Sequence, residues 1–394
     1  MVQALTLRLR PNADRRLRIG HLWVFANEVD VQRTPLTAFE PGALARLEDA
    51  RGKPLGQVYV NPASLICARV LTRNAKASID QAWFAERIRQ AAQLRERVYP
   101  GGFYRLLFGE SDGVPGLVVD RYGDVLVAQS TTAGIDARRD DVEAALRETL
   151  NPTGIYWRCD APVRALEGLE PMTSEWGSVP DEIEVPESER RFVVALKSGQ
   201  KTGWYFDQRD NRALIAQLAR GQRVLDVFSY VGGFGVTAAC AGAASVTCLD
   251  ASESALAQAQ ANAARNGVSV DVLAGDARTS LQQLADARTK FDLVIVDPPA
   301  LIKRKKDIAA GTRHYQQLNA LAMRLLTPGG LLLAASCSHH LSADAMRGAL
   351  RKAASEAGRR PMILAQRGAA LDHPVHPAIP ETEYLKAFLC AVEG

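Results

Sequence analysis

The stretch RVLDVFSYVGGFGVTAACAGA (223–243) decides the fold. A buried-type strand, RVLDVFS, leads into a glycine turn, and a helical segment rich in alanine follows. Further strand patterns alternate with helical segments downstream, and these strands are SVTCLDAS, VDVLAGDA, FDLVIVDPP and GGLLLAASCS. Because they are continuous apolar runs, we expect helices to cover both faces of the sheet. Residues 191–394 are therefore predicted to form a largely parallel, doubly wound α/β sheet.

Two smaller domains are predicted ahead of this sheet. Residues 1–73 contain short strand patterns separated by turn residues, which indicate a small β-barrel; the strands are ALTLRLR, ALARLED, PLGQVYV and LICARVLT. Residues 74–190 begin with a helix capped by Asp80 and continue with strands around a second helix, RRDDVEAALRETL. This segment is predicted to be an α+β middle domain that ends in the acidic stretch PDEIEVPESER.

Composition and charge bound the class of protein. The chain has 394 residues, 47% hydrophobic and 23% charged, which is typical of a globular protein. There is no apolar run of about 18 residues and no signal-like N-terminus, and the six cysteines form no CxxC pair. We therefore expect a cytoplasmic protein without a membrane segment, a disulfide framework or a metal site. Basic residues dominate 1–73 and 191–394, which suits a polyanionic partner, although ordinary solvated faces would look the same.

Reactive side chains follow the predicted strands. Ligands bind beyond the carboxyl ends of strands in open α/β sheets, and five such residues fall at or near these ends: Asp226, Asp250, Asp276, Asp297 and Cys337. Asp250 is placed to accept the hydroxyls of a ribose, or alternatively to cap the next helix. Asp276 is placed to accept from an adenine amine, or alternatively to make a simple turn. The glycine spacing is not GxGxxG, which counts against a dinucleotide site.

The glycine turn followed by this aspartate series resembles the class I S-adenosylmethionine-dependent methyltransferases. Their cofactor carries no phosphate, so a short glycine turn is sufficient. The stretch VIVDPPA (294–300) adds a rigid turn that begins at Asp297, since prolines fix the backbone. In nucleic-acid methyltransferases such a turn meets the target base; the alternative is an ordinary strand end with Asp297 exposed. An aromatic residue is absent at Ala300 and Leu301, so the amino-group version of this motif is not supported.

Cys337, in the triplet SCS, is a candidate nucleophile. C5 of cytosine reacts poorly with a methyl donor until a thiolate adds to C6, and the adduct needs a nearby acid, for which Asp297 is suited. The alternative is that Cys337 is an ordinary buried small residue. His339 and His340 either influence the thiol or contact phosphate, or simply begin the next loop.

Several motifs together resemble one family, the bacterial large-subunit (23S) ribosomal RNA cytosine-5 methyltransferases with an N-terminal PUA domain. They are RRLRIGHLWVFANEV, SGQKTGWYFDQRDNR (198–212), DVFSYVGGFG, VDPPA, SCS and DHPVHPAIPETEYLKAF. The resemblance implies a PUA-like RNA-binding β-barrel over 1–73, an EEHEE-type α+β domain over 74–190 and a Rossmann-like methyltransferase domain over 191–394. It also implies catalysis by Cys337 with Asp297. The implied cofactor-binding residues are Lys201, Phe206, Asp207, Gln208, Asp226, Phe228, Ser229, Gly232, Asp250, Ser252, Asp276, Ala277 and Asp297.

Two basic clusters are candidates for RNA binding. The run Lys303, Arg304, Lys305 and Lys306 directly follows the Asp-Pro-Pro turn and is placed for phosphate contacts, although charge runs are often only solvated faces. In the predicted barrel, a second cluster could hold an RNA loop or belong to an ordinary turn; it consists of Arg15, Arg16 and Arg18. Glu381 and Glu383 are candidates for the base that removes the C5 proton.

The function predicted from the sequence is S-adenosylmethionine-dependent formation of 5-methylcytidine in large-subunit rRNA, free or in an assembling particle. The nearest alternative is an rRNA guanine (N7 or N2) methyltransferase, which needs no thiol. A second is a non-catalytic RNA-binding ribosome-assembly factor. A third is a nicotinamide oxidoreductase, which the glycine spacing disfavours.

Overall fold

The computed structural model describes residues 5–197, 199 and 202–394. The chain divides into two compact units. Unit 1 comprises Met1–Asp181, Gln200–Thr202 and Leu371–Thr382, and unit 2 comprises Glu182–Gly199, Gly203–Ala370 and Glu383–Gly394. Among the helices described, none combines the length and the apolar character that crossing a membrane requires.

Unit 1 begins with a five-stranded sheet in the order β1-β3-β4-β5-β2. The strands are β1 (Thr6–Arg8), β2 (Trp23–Val24), β3 (Ala43–Glu48), β4 (Pro54–Val60) and β5 (Ala68–Thr72), and the short helix α1 (Arg15–Arg18) precedes β2. The strand pairs are antiparallel except for β1 with β3. Leu47, Val58 and Val70 are buried in its core. Four of these strands were predicted from the sequence, whereas β2, with only two residues, is too short to give a periodic signal.

A second five-stranded sheet completes unit 1, in the order β10-β9-β8-β7-β6. Its elements are α2 (Gln81–Val98), β6 (Phe103–Phe108), β7 (Leu117–Tyr122), β8 (Val125–Ser130), α3 (Ala133–Asp136), α4 (Arg139–Leu150), β9 (Gly154–Cys159) and β10 (Met172–Gly177). Asp80 caps α2 as predicted, because its side chain accepts from the Trp83 amide. The parallel pair β8–β9 requires a crossover, which α4 supplies. From β7 to β10 the order is two strands, the short helix α3 with the longer helix α4, and two strands.

The segment Leu371–Thr382 groups with unit 1 although it lies near the C-terminus of the chain. Asp372 is fully buried, and its Oδ2 accepts from the Arg105 amide at 2.9 Å. The Asp372 carbonyl oxygen also accepts from the buried guanidinium of Arg95 at 3.0 Å. These contacts join residues more than 260 positions apart, so no local sequence pattern predicts them.

Unit 2 begins with a hairpin that the sequence analysis did not predict. Its strands are β11 (Glu182–Glu187) and β12 (Arg190–Ala195), which pair antiparallel. The Val193 amide donates to Asn262 at 2.8 Å, and Asn266 donates to the Arg191 carbonyl at 2.7 Å. The acidic stretch 180–190 was assigned to the end of the middle domain, whereas most of it, from Glu182 onward, belongs to unit 2. The predicted start of the third domain at Arg191 stays a prediction.

The centre of unit 2 is a sheet in the order β15-β14-β13-β16-β17-β19-β18. The strands are β13 (Arg223–Val227), β14 (Ser245–Asp250), β15 (Asp271–Ala274), β16 (Phe291–Val296), β17 (Leu326–Ser336), β18 (Arg360–Arg367) and β19 (Lys386–Glu393). The helices are α5 (Arg209–Leu218), α6 (Gly233–Cys240), α7 (Glu253–Arg265), α8 (Ala277–Asp286), α9 (Ile308–Leu325) and α10 (Ala343–Ala357).

The first five strands in this order are parallel, and β19 runs antiparallel between β17 and β18. Leu225, Val294 and Leu332, from three neighbouring strands, are fully buried, as their apolar runs predict. The doubly wound α/β sheet predicted from the sequence is thus confirmed. The strand order reverses between β13 and β16, which places the ligand crevice at the carboxyl ends of these two strands.

Candidate active site

The glycine turn between β13 and α6 has a strained backbone. Phe228 and Tyr230 adopt positive φ angles of 64° and 50°, which are uncommon for residues other than glycine. Such strain costs on the order of 1–3 kcal/mol per residue and concentrates at functional sites. Gly232, at φ 83°, is the N-cap residue of α6, and the Gly235 amide donates to Asp226 Oδ2 at 2.7 Å. The carboxylate below the turn therefore fixes the position of the helix.

Gly235 is required by close packing. An ideal Cβ at this position would lie 2.5 Å from Cys248 Sγ and 3.2 Å from Asp226 Oδ2. We expect Gly235→Ala to destabilise the protein by about 1–3 kcal/mol, because the added methyl group overpacks the core, and to weaken cofactor binding. Chemical denaturation and calorimetric titration with S-adenosylmethionine measure the two effects.

The matched control for this variant is Gly348→Ala in α10, where a Cβ would meet no atom within 4 Å. Alanine is the better helix former, so this variant should be as stable as the parent or more stable by up to about 1 kcal/mol. Equal behaviour of the two variants would contradict the packing explanation for Gly235.

Asp226 and Asp250 lie at adjacent strand ends, as predicted. Asp226 is buried, and burial raises its pKa to about 7, against the lowering effect of the Gly235 amide. Its Oδ1 atom has no hydrogen-bond partner among the described residues. Asp250 is half-buried, and its two oxygens accept from the amides of Tyr230 and Ser252, both at 2.9 Å. A carboxylate held in this way keeps further lone pairs for a ligand.

The two helix caps next to these strands are Ser252 and Asp276. Ser252 caps α7 by accepting from the Ala255 amide, so the alternative assignment of that cap to Asp250 is wrong. Asp276 is exposed and caps α8 through the amide and hydroxyl of Thr279, and these hydrogen bonds lower its pKa. Ala277 follows as the first residue of α8. Their contact with an adenosyl group stays a prediction.

The segment before α5 joins the predicted cofactor region to the Asp-Pro-Pro turn. Phe206, Asp207 and Gln208 form a buried 3-10 helix. Gln208 Nε2 donates to Asp297 Oδ2 at 2.8 Å, and the hydroxyl of Tyr384 donates to Asp207 Oδ2 at 2.5 Å. Gln208 thus orients the acid predicted to assist catalysis. Lys201, predicted for the same pocket, lies outside the described residues.

The structure brings Cys337 to the Asp-Pro-Pro turn. β16 and β17 are parallel neighbours with Val296 opposite Ala334, so both motifs leave the sheet at the same edge. Cys337 Sγ lies 3.8 Å from the Pro298 carbonyl oxygen. The thiol is half-buried, as are the Asp297 side chain and the strained residue Phe228. A thiol and a carboxyl group therefore lie on adjacent strand ends beside the glycine turn.

Both serines of the SCS triplet are buried and hold the thiol's loop. Ser338 Oγ accepts from the Ile302 amide at 3.1 Å and bonds the Tyr315 hydroxyl at 2.9 Å. The Ser338 amide donates to Ser336 Oγ at 3.2 Å. Because Ile302 follows the Asp-Pro-Pro turn, Ser338 ties that segment to the loop of Cys337. The sequence analysis noted the triplet but not this function of its serines.

Lys386 is a site residue that the sequence analysis missed. It is opposite Ser336 in the β17–β19 pair and is only 6% exposed. Its Nζ donates to the carbonyl oxygens of Ser338 and Tyr384, both at 2.7 Å. Burial lowers its pKa to about 8, against the opposite effects of Cys337 and Glu383. The signal in the sequence was a single charge at the start of the apolar strand KAFLCAV.

The basic clusters differ in their surroundings. All four residues 303–306 are exposed, and the run begins directly after the buried Ile302. In unit 1, Arg16 pairs with Glu28, and Arg18 pairs with Asp14 and Asp49, which leaves less of their charge for a phosphate. Arg15, the third predicted residue there, is exposed and donates to Asn12.

The two candidate bases belong to different units. Glu381 is in unit 1, where it raises the pKa of His21 against the larger effect of burial. Glu383 is in unit 2, where it raises the pKa of Lys386.

His339 is exposed, with its ring 5.5 Å from that of Tyr384. Among the residues that the structure describes, no group of three or more His, Cys, Asp and Glu could hold a metal ion.

The residues at the carboxyl edge of unit 2 fit an adenosyl cofactor. Asp226 presents a buried oxygen without a partner among the described residues, and Asp250 is oriented by two amides. A nucleoside ligand offers the hydroxyl and amine donors that such acceptors require.

Two family models match the chain. A model described as S-adenosylmethionine-dependent methyltransferase matches residues 166–389, and one described as PUA-like domain matches residues 7–73. Among curated proteins, the chain is 36% identical to "Ribosomal RNA large subunit methyltransferase I" of Pseudoalteromonas atlantica over 391 residues, 98% of each chain. It is 37% identical to the protein of the same name from Erwinia tasmaniensis over 392 residues, again 98% of each.

Solved structures share the fold. A candidate SAM-dependent methyltransferase from Streptococcus mutans superposes with a TM-score of 0.82 at 20% identity, covering 98% of this chain and 100% of that one. A second candidate methyltransferase, solved in complex with SAH, gives a TM-score of 0.84 with the same identity and coverage.

Proposed function

Since this chain belongs to the S-adenosylmethionine-dependent methyltransferase family with a PUA-like N-terminal domain, we propose that it methylates C5 of a cytidine in large-subunit ribosomal RNA. Curated relatives over its whole length are named as large-subunit rRNA methyltransferases, which supports the substrate class. The observation that carries the choice of atom is the thiol of Cys337 beside the turn that begins at Asp297. Methylation of a guanine would not need this thiol.

The reaction begins at Cys337. Its thiolate forms a bond to C6 of the cytosine, and the electrons of the C5–C6 double bond become available at C5. Asp297, in its protonated form, donates to N3 and so stabilises the adduct. Gln208 holds the Asp297 carboxyl group toward the reacting ring through its 2.8 Å hydrogen bond.

S-adenosylmethionine, when bound, supplies a methyl group on a sulfonium that leaves as a neutral thioether. C5 forms the new bond to this methyl group, and afterwards a base takes the C5 proton. The C6–Sγ bond then breaks and returns the electron pair to Cys337, and the proton that Asp297 supplied at N3 goes back to Asp297, so atoms and charge balance. Glu383 is the proposed base, since it lies in the same unit as Cys337 and close enough to Lys386 to raise its pKa.

Three of the cofactor-binding residues proposed from the resemblance, Asp226, Asp250 and Asp297, are at the carboxyl ends of neighbouring parallel strands. Asp226 and Asp250 are proposed to accept from the adenosyl group, with Phe228 beside it. The exposed residues 303–306 are proposed to contact RNA phosphates, because they leave the same edge directly after Ile302. The target base must leave any duplex to reach Cys337.

A cytoplasmic location follows from the proposed substrate. All six cysteines are free, which is consistent with a reducing compartment. Residues 1–73 and 74–190 are proposed as the RNA-binding barrel and the middle domain, and residues 191–394 as the catalytic domain.

Product analysis tests the proposed function. Unmodified large-subunit rRNA, free or in immature particles, is incubated with the protein and S-adenosylmethionine labelled in its methyl group. After digestion to nucleosides, mass spectrometry is expected to find the label in 5-methylcytidine. Label in N7- or N2-methylguanosine would contradict the proposal, and failure to bind S-adenosylmethionine at all would favour a non-catalytic assembly factor.

A further inference from the structure

We propose that Lys386 is a positioning residue for this reaction: its ammonium group stabilises the thiolate of Cys337 and fixes the loop that carries it. The inference rests on the proposed function, in which Cys337 is the nucleophile. It adds a residue from β19, the antiparallel strand, which lies at the end of the motif DHPVHPAIPETEYLKAF and was given no role there.

The strand pairing brings Lys386 to the thiol's loop. β19 begins at Lys386, directly opposite Ser336 at the end of β17. Paired residues in an antiparallel ladder have Cα atoms about 4.5–5.5 Å apart. The ammonium group bonds the carbonyl of Ser338, the residue that follows Cys337, and the carbonyl of Tyr384 on its own segment. Lys386 therefore contacts the loop on both sides of Cys337, by strand pairing with Ser336 and by the hydrogen bond to the Ser338 carbonyl.

The burial of Lys386 needs an electrostatic reason. A lysine is rarely as buried as this unless an anion compensates its charge. No salt bridge to a carboxylate is found for Lys386 within the described part of the chain, and its close partners are two neutral carbonyl groups. Cys337 and Glu383 are the groups whose negative charge favours its protonated form. Because this interaction is mutual, the ammonium group favours the thiolate of Cys337 to the same extent.

Two phenols and a carboxyl group near the thiol do not supply a positive charge. Burial raises the pKa values of Tyr205 and Tyr315 above the ordinary value, so both phenols are neutral near pH 7. Asp297, at the neighbouring strand end, is an acid and would oppose a thiolate when ionised. His339 follows in the same loop but is exposed to solvent. Lys386 is a cation that interacts electrostatically with Cys337, since Cys337 raises its pKa.

Alkylation of Cys337 as a function of pH tests this proposal. The full-length protein is treated with iodoacetamide, and the modification of each cysteine is quantified on peptides by mass spectrometry. An ordinary thiol titrates near about 8.5. In the unmutated protein, Cys337 is expected to titrate below this value, and half-buried Cys240, whose pKa burial raises, serves as the internal reference above it.

Two variants separate charge from packing. Lys386→Met should raise the titration midpoint of Cys337 by about one pH unit or more, which lowers the thiolate fraction at pH 7 about tenfold. The kcat of methylation should fall by a similar factor with a parallel shift of its pH profile, while KM for S-adenosylmethionine changes little. Lys386→Arg keeps the positive charge and should keep the low midpoint.

Each result has a definite meaning. An unchanged Cys337 midpoint in folded Lys386→Met would overturn the inference and leave the nucleophile proposal intact. If this variant does not fold, a midpoint of Cys337 at or above that of an ordinary thiol in the unmutated protein overturns it equally. Full methylation by a Cys337→Ala variant would instead refute the proposed function, and with it any catalytic meaning of a shifted thiol.

Discussion

Replacing Cys337 with alanine is expected to lower kcat of methylation by at least about a thousandfold, equivalent to about 4 kcal/mol of activation free energy. Without the bond from Sγ to C6, C5 of the cytosine keeps its aromatic character and reacts poorly with the methyl donor. The side chain is half-buried and its contact with the Pro298 carbonyl is long, so its loss should leave the fold intact. Labelled methyl transfer to rRNA measures the effect.

The matched control is Cys240→Ala, a half-buried cysteine in α6 that belongs to no proposed step. It should methylate rRNA at the normal rate. Binding of S-adenosylmethionine should be unchanged in Cys337→Ala, because the thiol contacts the base and not the cofactor in the proposed reaction. Methylation that survives in this variant would return Cys337 to the role of an ordinary packing residue.

The covalent bond can also be trapped. In RNA that carries 5-fluorocytidine at the target position, C5 has no proton to lose after methyl addition, so the C6–Sγ bond is expected to persist. A complex that resists denaturing electrophoresis, and is absent with Cys337→Ala, would identify the nucleophile directly.

Replacing Arg212 with methionine is expected to destabilise the protein by about 3–5 kcal/mol. Arg212 on α5 and Glu187 at the end of β11 form a buried pair with two hydrogen bonds of 2.6 and 2.5 Å. The Trp204 indole donates to the same carboxylate at 3.2 Å, and the Arg212 guanidinium lies over its ring. Arg209, whose Nε lies 3.6 Å from the same carboxylate, compensates the buried charge only in part once Arg212 is removed. Equilibrium denaturation with circular dichroism measures the loss.

An exposed ion pair on the protein surface provides the control for the loss of stability in Arg212→Met. Arg223 pairs with Asp292 at 3.0 Å but is half exposed to solvent, so Arg223→Met should cost no more than about 1 kcal/mol. The double variant Arg212→Met/Glu187→Met removes the buried carboxylate as well and should recover most of the loss. A double variant as unstable as Arg212→Met would show that packing, and not the unpaired charge, causes the effect.

The free energy of unfolding should depend on pH through the ionisation of Glu187. Burial opposes the charge of Glu187, but Arg212 and the surrounding donors outweigh it, so its pKa lies below the ordinary value of 4.5. In the unmutated protein the contribution of Glu187 is complete above pH 4.5 and is lost as the pH falls through the lowered pKa. In Arg212→Met the strongest lowering effect is gone while burial, the largest effect, stays, so we expect the pKa of Glu187 to rise and the folded state to take up the proton first. The stability difference between the two proteins should therefore narrow as the pH falls from 7 to 4.5.

Part of the site was predictable because parallel strands share one edge. Asp226, Asp250, Asp297 and Cys337 each follow an apolar run, and strands that all run in one direction must bring such residues together. The same reasoning did not distinguish their surroundings. Asp226 is buried beneath the glycine turn, whereas Asp276 is an exposed helix cap. Burial depends on what packs above a residue, which strand patterns do not contain.

The sequence by itself determined the doubly wound sheet, its glycine turn and the convergence of the acidic and thiol groups at one edge. The first two follow from local residue patterns, and the third follows because parallel strands end at the same edge. Only the tertiary structure decided that Lys386 meets the loop of Cys337, that Ser338 ties this loop to Ile302, and that the hairpin β11–β12 belongs to unit 2. These contacts join residues between 36 and 75 positions apart. The contacts depend on the insertion of the antiparallel strand β19 and on single side-chain hydrogen bonds. Neither produces a periodic pattern of apolar residues in the sequence, so neither can be predicted from it.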